Sequence, residues 1–151
     1  MSAESAKILI VDDHPVVRQG LMQLINHEPD LEICAEAENA VQALETIETE
    51  HVDLAIVDIS LCGTNGIELT ERIKSSHPGL PVLILTMHDE SIYAKLAFNA
   101  GAEGYLIKRE AAETIISAIH IMLSGKKYIS EQLAQELFGD IAELEPEEKQ
   151  T

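Results

Sequence analysis

Several kinds of residue are scarce in this chain, and each scarcity excludes a class of protein. Its 151 residues include no tryptophan, two phenylalanines and three tyrosines, so Ile, Leu, Val and Ala must build the core, which suits helices packed on a sheet. Cys34 and Cys62 are too few for a disulfide framework and lack metal-ligand spacing. No apolar run approaches the ~20 residues of a membrane helix, and no basic region precedes an apolar stretch at the amino terminus. We therefore expect a cytoplasmic protein without a membrane segment.

Basic residues are scarce as well. The chain carries 27 acidic and 10 basic residues, a formal net charge of −17. Nucleic acid repels such a surface, and no stripe of Lys and Arg offsets it locally. We therefore expect that this segment does not bind DNA by itself. The hydrophobic content of 46% is ample for one domain with a single core.

Short apolar runs alternate five times with segments of helical periodicity, which predicts an α/β fold with a parallel sheet. The predicted strands are Lys7–Asp12, Leu31–Ala37, Asp53–Asp58, Pro81–Thr86 and Gly104–Lys108. The predicted helices are His14–His27, Ala40–Thr49, Gly66–Ser76, Glu90–Ala100 and Glu110–Ser124. The second strand alternates apolar and polar residues, which is typical of an edge strand, whereas the first, third and fourth are almost continuously apolar, as central strands are.

The pattern changes after Gly125, where helix periodicity stops. Residues 1–125 are therefore predicted to form one domain. Residues 126–151 read as a linker, with a short helix that Ser130 caps and a glutamate-rich tail that contains Pro146.

Three aspartates lie where buried strands should end. Asp12 and Asp13 follow the first predicted strand's apolar run, and Asp58 closes the third strand. Because the carboxyl ends of parallel strands face a common crevice, three negative groups should lie close together there. A helix-capping role would explain Asp13 alone and would leave Asp12 and Asp58 without a reason for burial. Mg²⁺ supplies that reason, since it is held by carboxylates, waters and phosphate oxygens.

Asp58 also reads as a nucleophile, because a carboxylate beside a divalent cation can attack a phosphoryl group in line. The product, an acyl phosphate, needs donors for its oxygens. Thr86 and Lys108 supply a hydroxyl and an ammonium group at the ends of the fourth and fifth strands. Each residue singly has an ordinary explanation at a strand end, but four matches in chain order favour a functional site.

The sequence resembles the receiver domain of two-component response regulators over about residues 6–125. The matching elements are Asp12-Asp13, Asp58 followed eight residues later by Gly66, Thr86, and Lys108 at the end of Gly101–Lys108. Three further runs resemble the NarL/FixJ group, whose members carry a LuxR-type output domain: Asp12–Leu21, Leu85–Glu90 and Tyr128–Ser130. The resemblance implies a five-stranded, doubly wound, flavodoxin-like sheet of order 2-1-3-4-5.

The resemblance also implies a role for each residue of the acidic group. Asp58 would be the phosphoacceptor that takes the phosphoryl group from a sensor histidine kinase. Asp13, Asp58 and the backbone carbonyl of Ser60 would bind Mg²⁺, and Asp12 would act on the metal through water. Such a domain is no enzyme beyond promoting its own phosphorylation and dephosphorylation.

Further roles fall on the fourth and fifth strands. Thr86 and Lys108 would contact the phosphate, and Tyr105 would be the switch whose ring turns inward when Thr86 moves. The alternative for Tyr105 is an ordinary, half-buried strand aromatic. Two residues depart from the family: Cys62 stands where Pro is usual, and Met87 replaces a small residue. Met87 is thus expected to restrict access to the acyl phosphate.

The predicted output follows from the same resemblance. Phosphorylation would control a transcriptional output domain, with a homodimer as a further partner state, and DNA would be reached only through a C-terminal helix-turn-helix domain. The chain stops at Thr151 in the acidic linker. A truncated regulator is therefore expected, with a stand-alone receiver that acts by protein docking as the alternative.

Other functions fit the sequence less well. Phosphatases of the haloacid-dehalogenase type need Asp-x-Asp at the nucleophile, and Asp58-Ile59-Ser60 lacks the second Asp. A flavin-binding module would need a Ser, Thr or Gly-rich phosphate loop after the first strand, where Asp12 and Asp13 would repel phosphate. The six histidines show no ligand spacing, which argues against a transition-metal site.

Overall fold

The computed structural model describes residues 5–60, 65–87, 91–130 and 133–135. The strands are β1 (Ala6–Val11), β2 (Leu31–Ala37), β3 (Leu54–Asp58), β4 (Val82–Thr86) and β5 (Gly104–Ile107). The helices are α1 (Pro15–Asn26), α2 (Ala40–Thr49), α3 (Gly66–Ser76), α4 (Ser91–Asn99) and α5 (Lys108–Leu123). The strands form one parallel sheet of order β2-β1-β3-β4-β5, which confirms the predicted fold and strand order.

Strand side chains alternate between the two faces of the sheet, and each face has its own hydrophobic core. Ile8 and Ile10 of β1 belong to the core on the face that α1 and α5 cover, where Leu21 and Ile115 are also buried. Leu9 and Val11 point to the other face, which is covered by α2, α3 and α4. Both faces of the sheet are therefore covered and shielded from solvent, which explains why the central strands are continuously apolar.

The edge position predicted for the second strand is confirmed. Within the described part of the chain, strand β2 pairs only with β1. Its burial varies along its length, with Glu32 and Glu36 exposed between the buried ends Leu31 and Ala37. Lys7 of β1 makes an ion pair of 2.7 Å with Glu32, which places opposite charges side by side on this polar edge.

Element boundaries differ from the sequence prediction at two points that matter for the site. Strand β1 ends at Val11, so Asp12 follows the strand instead of closing it. Helix α5 begins at Lys108, not at Glu110, because Ile107 is the last extended residue and no loop separates β5 from α5. Lys108 is therefore the first residue of a helix rather than the last of a strand. The predicted start of the fourth helix, Glu90, lies outside the described residues.

The chain continues along the sheet after α5. Gly125 ends the helix with a positive φ of +95°, a conformation that favours glycine. The Tyr105 N–H then donates to the Tyr128 carbonyl at 3.0 Å, and the Tyr128 N–H donates to the Glu103 carbonyl at 2.9 Å, which adds a short parallel bridge to the free edge of β5. We call residues 126–130 and 133–135 the strap.

Part of the strap is buried. Leu133 is 3% exposed and belongs to the same hydrophobic core as Tyr105. The Ser130 hydroxyl accepts from the Leu133 N–H at 3.3 Å, as expected of the predicted helix cap. Of that predicted helix only residues 133–135 are described, and they are helical. No described helix is long and apolar enough to span a membrane.

Candidate functional site

Two strand ends bring the candidate site together. Strands β1 and β3 pair in register, with Val11 opposite Val57, so Asp12 and Asp58 emerge side by side at the carboxyl edge of the sheet. Both are buried, at 0% and 1% exposure. One ligand atom from each of four residues lies within 4.8 Å of the other three, and we call this group the acidic site: Asp12, Asp13, His14 and Asp58.

The turn after β1 holds Asp12 in place. One Asp12 carboxylate oxygen, Oδ1, accepts from the His14 N–H at 2.8 Å, and the Asp12 carbonyl accepts from Arg18 Nη1 at 2.6 Å. Arg18 also donates to Glu36 of β2 through Nε at 2.9 Å. The sequence analysis did not find this role of Arg18, because a contact between a helix and an edge strand leaves no local pattern.

The capping explanation for Asp13 is wrong. His14 is the N-cap residue of α1 and makes no side-chain capping hydrogen bond, and Pro15 occupies the first turn, where its missing N–H costs little. The Oδ1 atom of Asp13 is buried and has no hydrogen-bond partner. The helix therefore gives no reason for Asp13 to be acidic.

Lys108 is the cation that faces the two buried carboxylates. Its Nζ atom lies 3.3 Å from Asp58 Oδ2 and 3.4 Å from Asp12 Oδ2, and its side chain is 10% exposed. Its place at the start of α5, directly after β5, brings it over the acidic site. One lysine cannot neutralise three carboxylates, and the site keeps a strong negative potential.

The electrostatics of Asp58 reflect that imbalance. Burial, and then the charge of Asp12, raise the pKa of Asp58 above its usual range. Lys108 and the Ser60 N–H, which donates to Asp58 Oδ1 at 3.2 Å, act in the opposite direction without cancelling the rise. The ionised form of Asp58 is therefore held in an unfavourable environment.

Buried carboxylate oxygens without a hydrogen-bond partner indicate which kind of ligand the site would bind. Three buried carboxylate oxygens, Asp12 Oδ2, Asp13 Oδ1 and Asp58 Oδ2, have no hydrogen-bond partner. Buried carboxylate oxygens are costly unless they are hydrogen-bonded or coordinated. Hard oxygen donors of this kind fit Mg²⁺, so the residues present suit the predicted metal.

The backbone next to Asp58 explains the glycine eight residues later. A Cβ at Gly66 would overlap the carbonyl oxygen of Asp58 and lie 2.8 Å from Cα of Ile59. The Gly66 N–H also donates to the Ile59 carbonyl at 2.8 Å. Gly66 thus lets α3 begin against the end of β3 and fixes the backbone that carries Asp58. Cys62 lies outside the described residues.

The remaining predicted residues lie on the neighbouring strands β4 and β5 and directly after β4. Thr86 ends β4 and is fully buried, in register with Ile107. Tyr105 is 1% exposed, so the half-buried alternative is wrong. Its side chain is already buried in this structure, which leaves no inward turn of the kind predicted for the switch. Met87 follows Thr86 and is 71% exposed at the surface. The structure therefore brings buried Asp, Thr and Lys side chains to one edge of the sheet.

His14 also belongs to the acidic site, which no sequence prediction had assigned to it. Its Nδ1 atom lies 3.0 Å from Asp12 Oδ1, 3.1 Å from Asp13 Oδ1 and 3.5 Å from Asp58 Oδ2. In the sequence, His14 stands directly after the aspartate pair, and this position is the signal that could have identified it. The spacing among the six histidines does not reveal that position.

Comparisons with known proteins show the family to which this chain is similar. The family model for the response regulator receiver domain matches residues 8–120. The transcriptional regulatory protein DegU of Brevibacillus brevis is 31% identical over 144 residues, which are 95% of this chain and 61% of that protein. The nitrate/nitrite response regulator protein NarL of Escherichia coli K12 is 34% identical over 140 residues, 91% of this chain and 64% of that protein.

A solved structure gives the same result for the fold. The two-component response regulator of the LuxR family from Aurantimonas sp. SI85-9A1 superposes with a TM-score of 0.85 at 36% identity, over 93% of this chain and 100% of that one. The chain spans less than two thirds of the length of the two curated relatives above.

Proposed function

The chain belongs to the response regulator receiver domain family, in its NarL/FixJ group, and from this premise we propose that Asp58 is its phosphoacceptor. The observation that carries the proposal is a buried Asp58 oxygen without a hydrogen-bond partner, 3.3 Å from the Lys108 ammonium group. Receiver domains are regulatory proteins rather than turnover enzymes, so the proposed chemistry serves signalling.

In the proposed reaction, a carboxylate oxygen of Asp58 attacks the phosphorus of a phosphohistidine on a sensor histidine kinase. An oxygen–phosphorus bond forms while the phosphorus–nitrogen bond breaks, and its electron pair stays with the departing imidazole. Attack by water on the acyl phosphate later restores the carboxylate. The raised pKa of Asp58 reflects poor solvation of its charge, which burial and the neighbouring Asp12 cause in spite of the nearby Lys108 and Ser60 donors.

Asp13, Asp58 and the backbone carbonyl of Ser60 would hold Mg²⁺, with Asp12 acting through water. When bound, this ion would offset the charge that develops between the carboxylates and the phosphoryl oxygens. The two unpartnered oxygens of Asp12 and Asp13 support this assignment.

Lys108 and Thr86 would contact the transferred group. Lys108 is already shared between two carboxylates, so its ammonium group has only a short way to move toward phosphate oxygens. Thr86 ends the adjacent strand β4, from which its hydroxyl would donate to the same group. Movement of Thr86 would then be transmitted to Tyr105 on β5 and to the start of α4.

Met87 would limit the lifetime of the acyl phosphate. Its exposed side chain adjoins Thr86 and would shield the phosphoryl group from water. We expect Met87→Ala to lose phosphate several-fold faster in a dephosphorylation time course. Val41→Ala, which removes an exposed side chain from α2, is the control and should leave the rate unchanged. Equal rates in wild type and Met87→Ala would refute this role.

The proposed output follows the longer relatives. We infer that the receiver controls transcription through a C-terminal helix-turn-helix domain, with phosphorylation promoting a homodimer, in the cytoplasm. The net charge of −17 supports a division of labour in which a separate domain contacts DNA.

Intact-mass measurement after incubation with acetyl phosphate and Mg²⁺ tests the phosphoacceptor. The wild type should gain one phosphate, and Asp58→Asn should not. Asp30→Asn makes the same change at an exposed aspartate at the opposite edge of the sheet and should still gain phosphate. The same gain in Asp58→Asn, or none in the wild type, would refute the assignment.

A further inference from the structure

An imidazole nitrogen lies among the carboxylates of the acidic site. His14 follows the aspartate pair as the N-cap residue of α1, and its side chain is 58% exposed. Its Nδ1 atom is 3.0, 3.1 and 3.5 Å from one oxygen of Asp12, Asp13 and Asp58 respectively. The contact with Asp12 Oδ1 is also within hydrogen-bond distance, so the ring nitrogen already faces the carboxylates of the acidic site.

These separations match the edges of a coordination sphere. Two adjacent ligands, each ~2.1 Å from an octahedral cation, lie about 3.0 Å apart. The Nδ1 atom has this spacing from both Asp12 and Asp13 and is only slightly farther from Asp58. A cation bound to the carboxylates would therefore have the imidazole within reach through a small rotation of an exposed side chain.

The buried carboxylates give an independent sign that this place takes a ligand. Asp12 and Asp58 are 0% and 1% exposed, and each keeps an oxygen without a hydrogen-bond partner. Asp13 contributes a third such oxygen. The cluster is thus an incomplete set of donors and not a solvated group of surface charges.

The kind of donor decides which cation is favoured. Carboxylates, carbonyls and water suit Mg²⁺, whereas imidazole suits first-row transition metals and contributes little to Mg²⁺ binding. The lack of ligand spacing among the histidines argues against a site built from several histidines. It does not bear on His14, whose partners are carboxylates. One nitrogen among three carboxylates is a donor set that transition-metal dications share with Mg²⁺ sites.

We propose that His14 is a direct ligand through Nδ1 and makes the acidic site selective for a first-row transition-metal dication over Mg²⁺. The ion binds the Asp12, Asp13 and Asp58 carboxylates together with the imidazole, whose Nδ1 supplies a lone pair after any proton on it passes to solvent. The inference rests on the same site as the proposed function, and it adds a metal that would compete with Mg²⁺ there.

Metal affinities measured by titration calorimetry test the proposal. Co²⁺ and Mg²⁺ are each titrated into the full chain, wild type and His14→Asn. The Co²⁺ affinity should fall by roughly tenfold or more in the variant, while the Mg²⁺ affinity changes much less. His51→Asn is the matched control, because His51 is exposed, lies outside the acidic site and pairs with Asp53.

Spectroscopy separates ligation from an indirect effect. With Co²⁺ bound, the ring nitrogens of His14 in isotope-labelled protein should show a large paramagnetic shift, and His51 should not. His14→Gln provides a second variant, and thermal unfolding in EDTA identifies any variant that fails to fold. An equal loss of affinity for both metals, an unchanged Co²⁺ affinity, or an unshifted His14 ring would overturn the proposal.

The outcomes for the two proposals remain distinguishable. Phosphate gain at Asp58 with Mg²⁺ is read by mass in the wild type, whereas metal selectivity is read by calorimetry without any phosphodonor. A wild type that gains phosphate but whose Co²⁺ preference survives His14→Asn refutes the His14 ligand alone. A His14-dependent Co²⁺ preference without phosphate gain supports the ligand and refutes the phosphoacceptor.

Discussion

At the scale of single residues, the structure places unfavourable charge where the chemistry is proposed. Asp12 and Asp58 are buried beside each other and share one lysine, and the pKa of Asp58 is raised by burial and by Asp12. Such an arrangement costs folding stability until a cation or a phosphoryl group completes it. Sites of this kind show the usual trade-off between stability and function.

Removing the Asp58 charge should therefore stabilise the metal-free protein. The folded state holds a proton on Asp58 more tightly than the unfolded chain does, so stability is lost as the pH rises from about 4 toward the raised pKa of the folded state. Asp58→Asn has no ionisable group at this position, so its stability does not fall in this way as the pH rises. Its advantage over the wild type should grow across that pH range and reach roughly 1–2 kcal/mol at neutral pH.

Urea unfolding in EDTA at several pH values measures this difference. Asp30→Asn, at an aspartate whose side chain is 59% exposed, is the control and should change stability little. If Asp58→Asn were less stable than the wild type at neutral pH, the ionised Asp58 carboxylate would be well stabilised by its neighbours in the folded protein.

At the scale of helices and strands, periodicity was a reliable guide because both faces of the sheet are covered. The five strands and five helices predicted up to residue 125 are present, and the strand order is as expected. The edge position of β2 followed from its alternating residues alone. These features depend on local patterns of apolar residues, which the sequence displays directly.

The same reasoning failed where contacts cross between elements. The start of α5 at Lys108 depends on a strand that passes into a helix without a loop. His14 and Arg18 take their roles from the partners that the turn after β1 brings to them. The buried state of Tyr105 depends on the core of one whole sheet face, to which the strap contributes. None of these contacts has a signature within one segment.

At the scale of the whole molecule, the charge is strongly of one sign. The chain carries a formal net charge of −17, and one edge of the sheet gathers carboxylates. This excess of negative charge raises the local concentration of cations and opposes contact with nucleic acid.

The strap is the described part of the chain after α5, and it packs on the folded core. Because Leu133 is 3% exposed and shares a core with Tyr105, Leu133→Ala should destabilise the whole molecule by roughly 2–5 kcal/mol. Leu24→Ala removes the same atoms from an exposed position on α1 and should cost less than ~1 kcal/mol. Urea midpoints at unchanged m-value measure both changes. If the two variants unfolded at the same urea concentration, the strap would lie outside the cooperative unit, and changes at Tyr105 would have no packed route to the chain beyond α5.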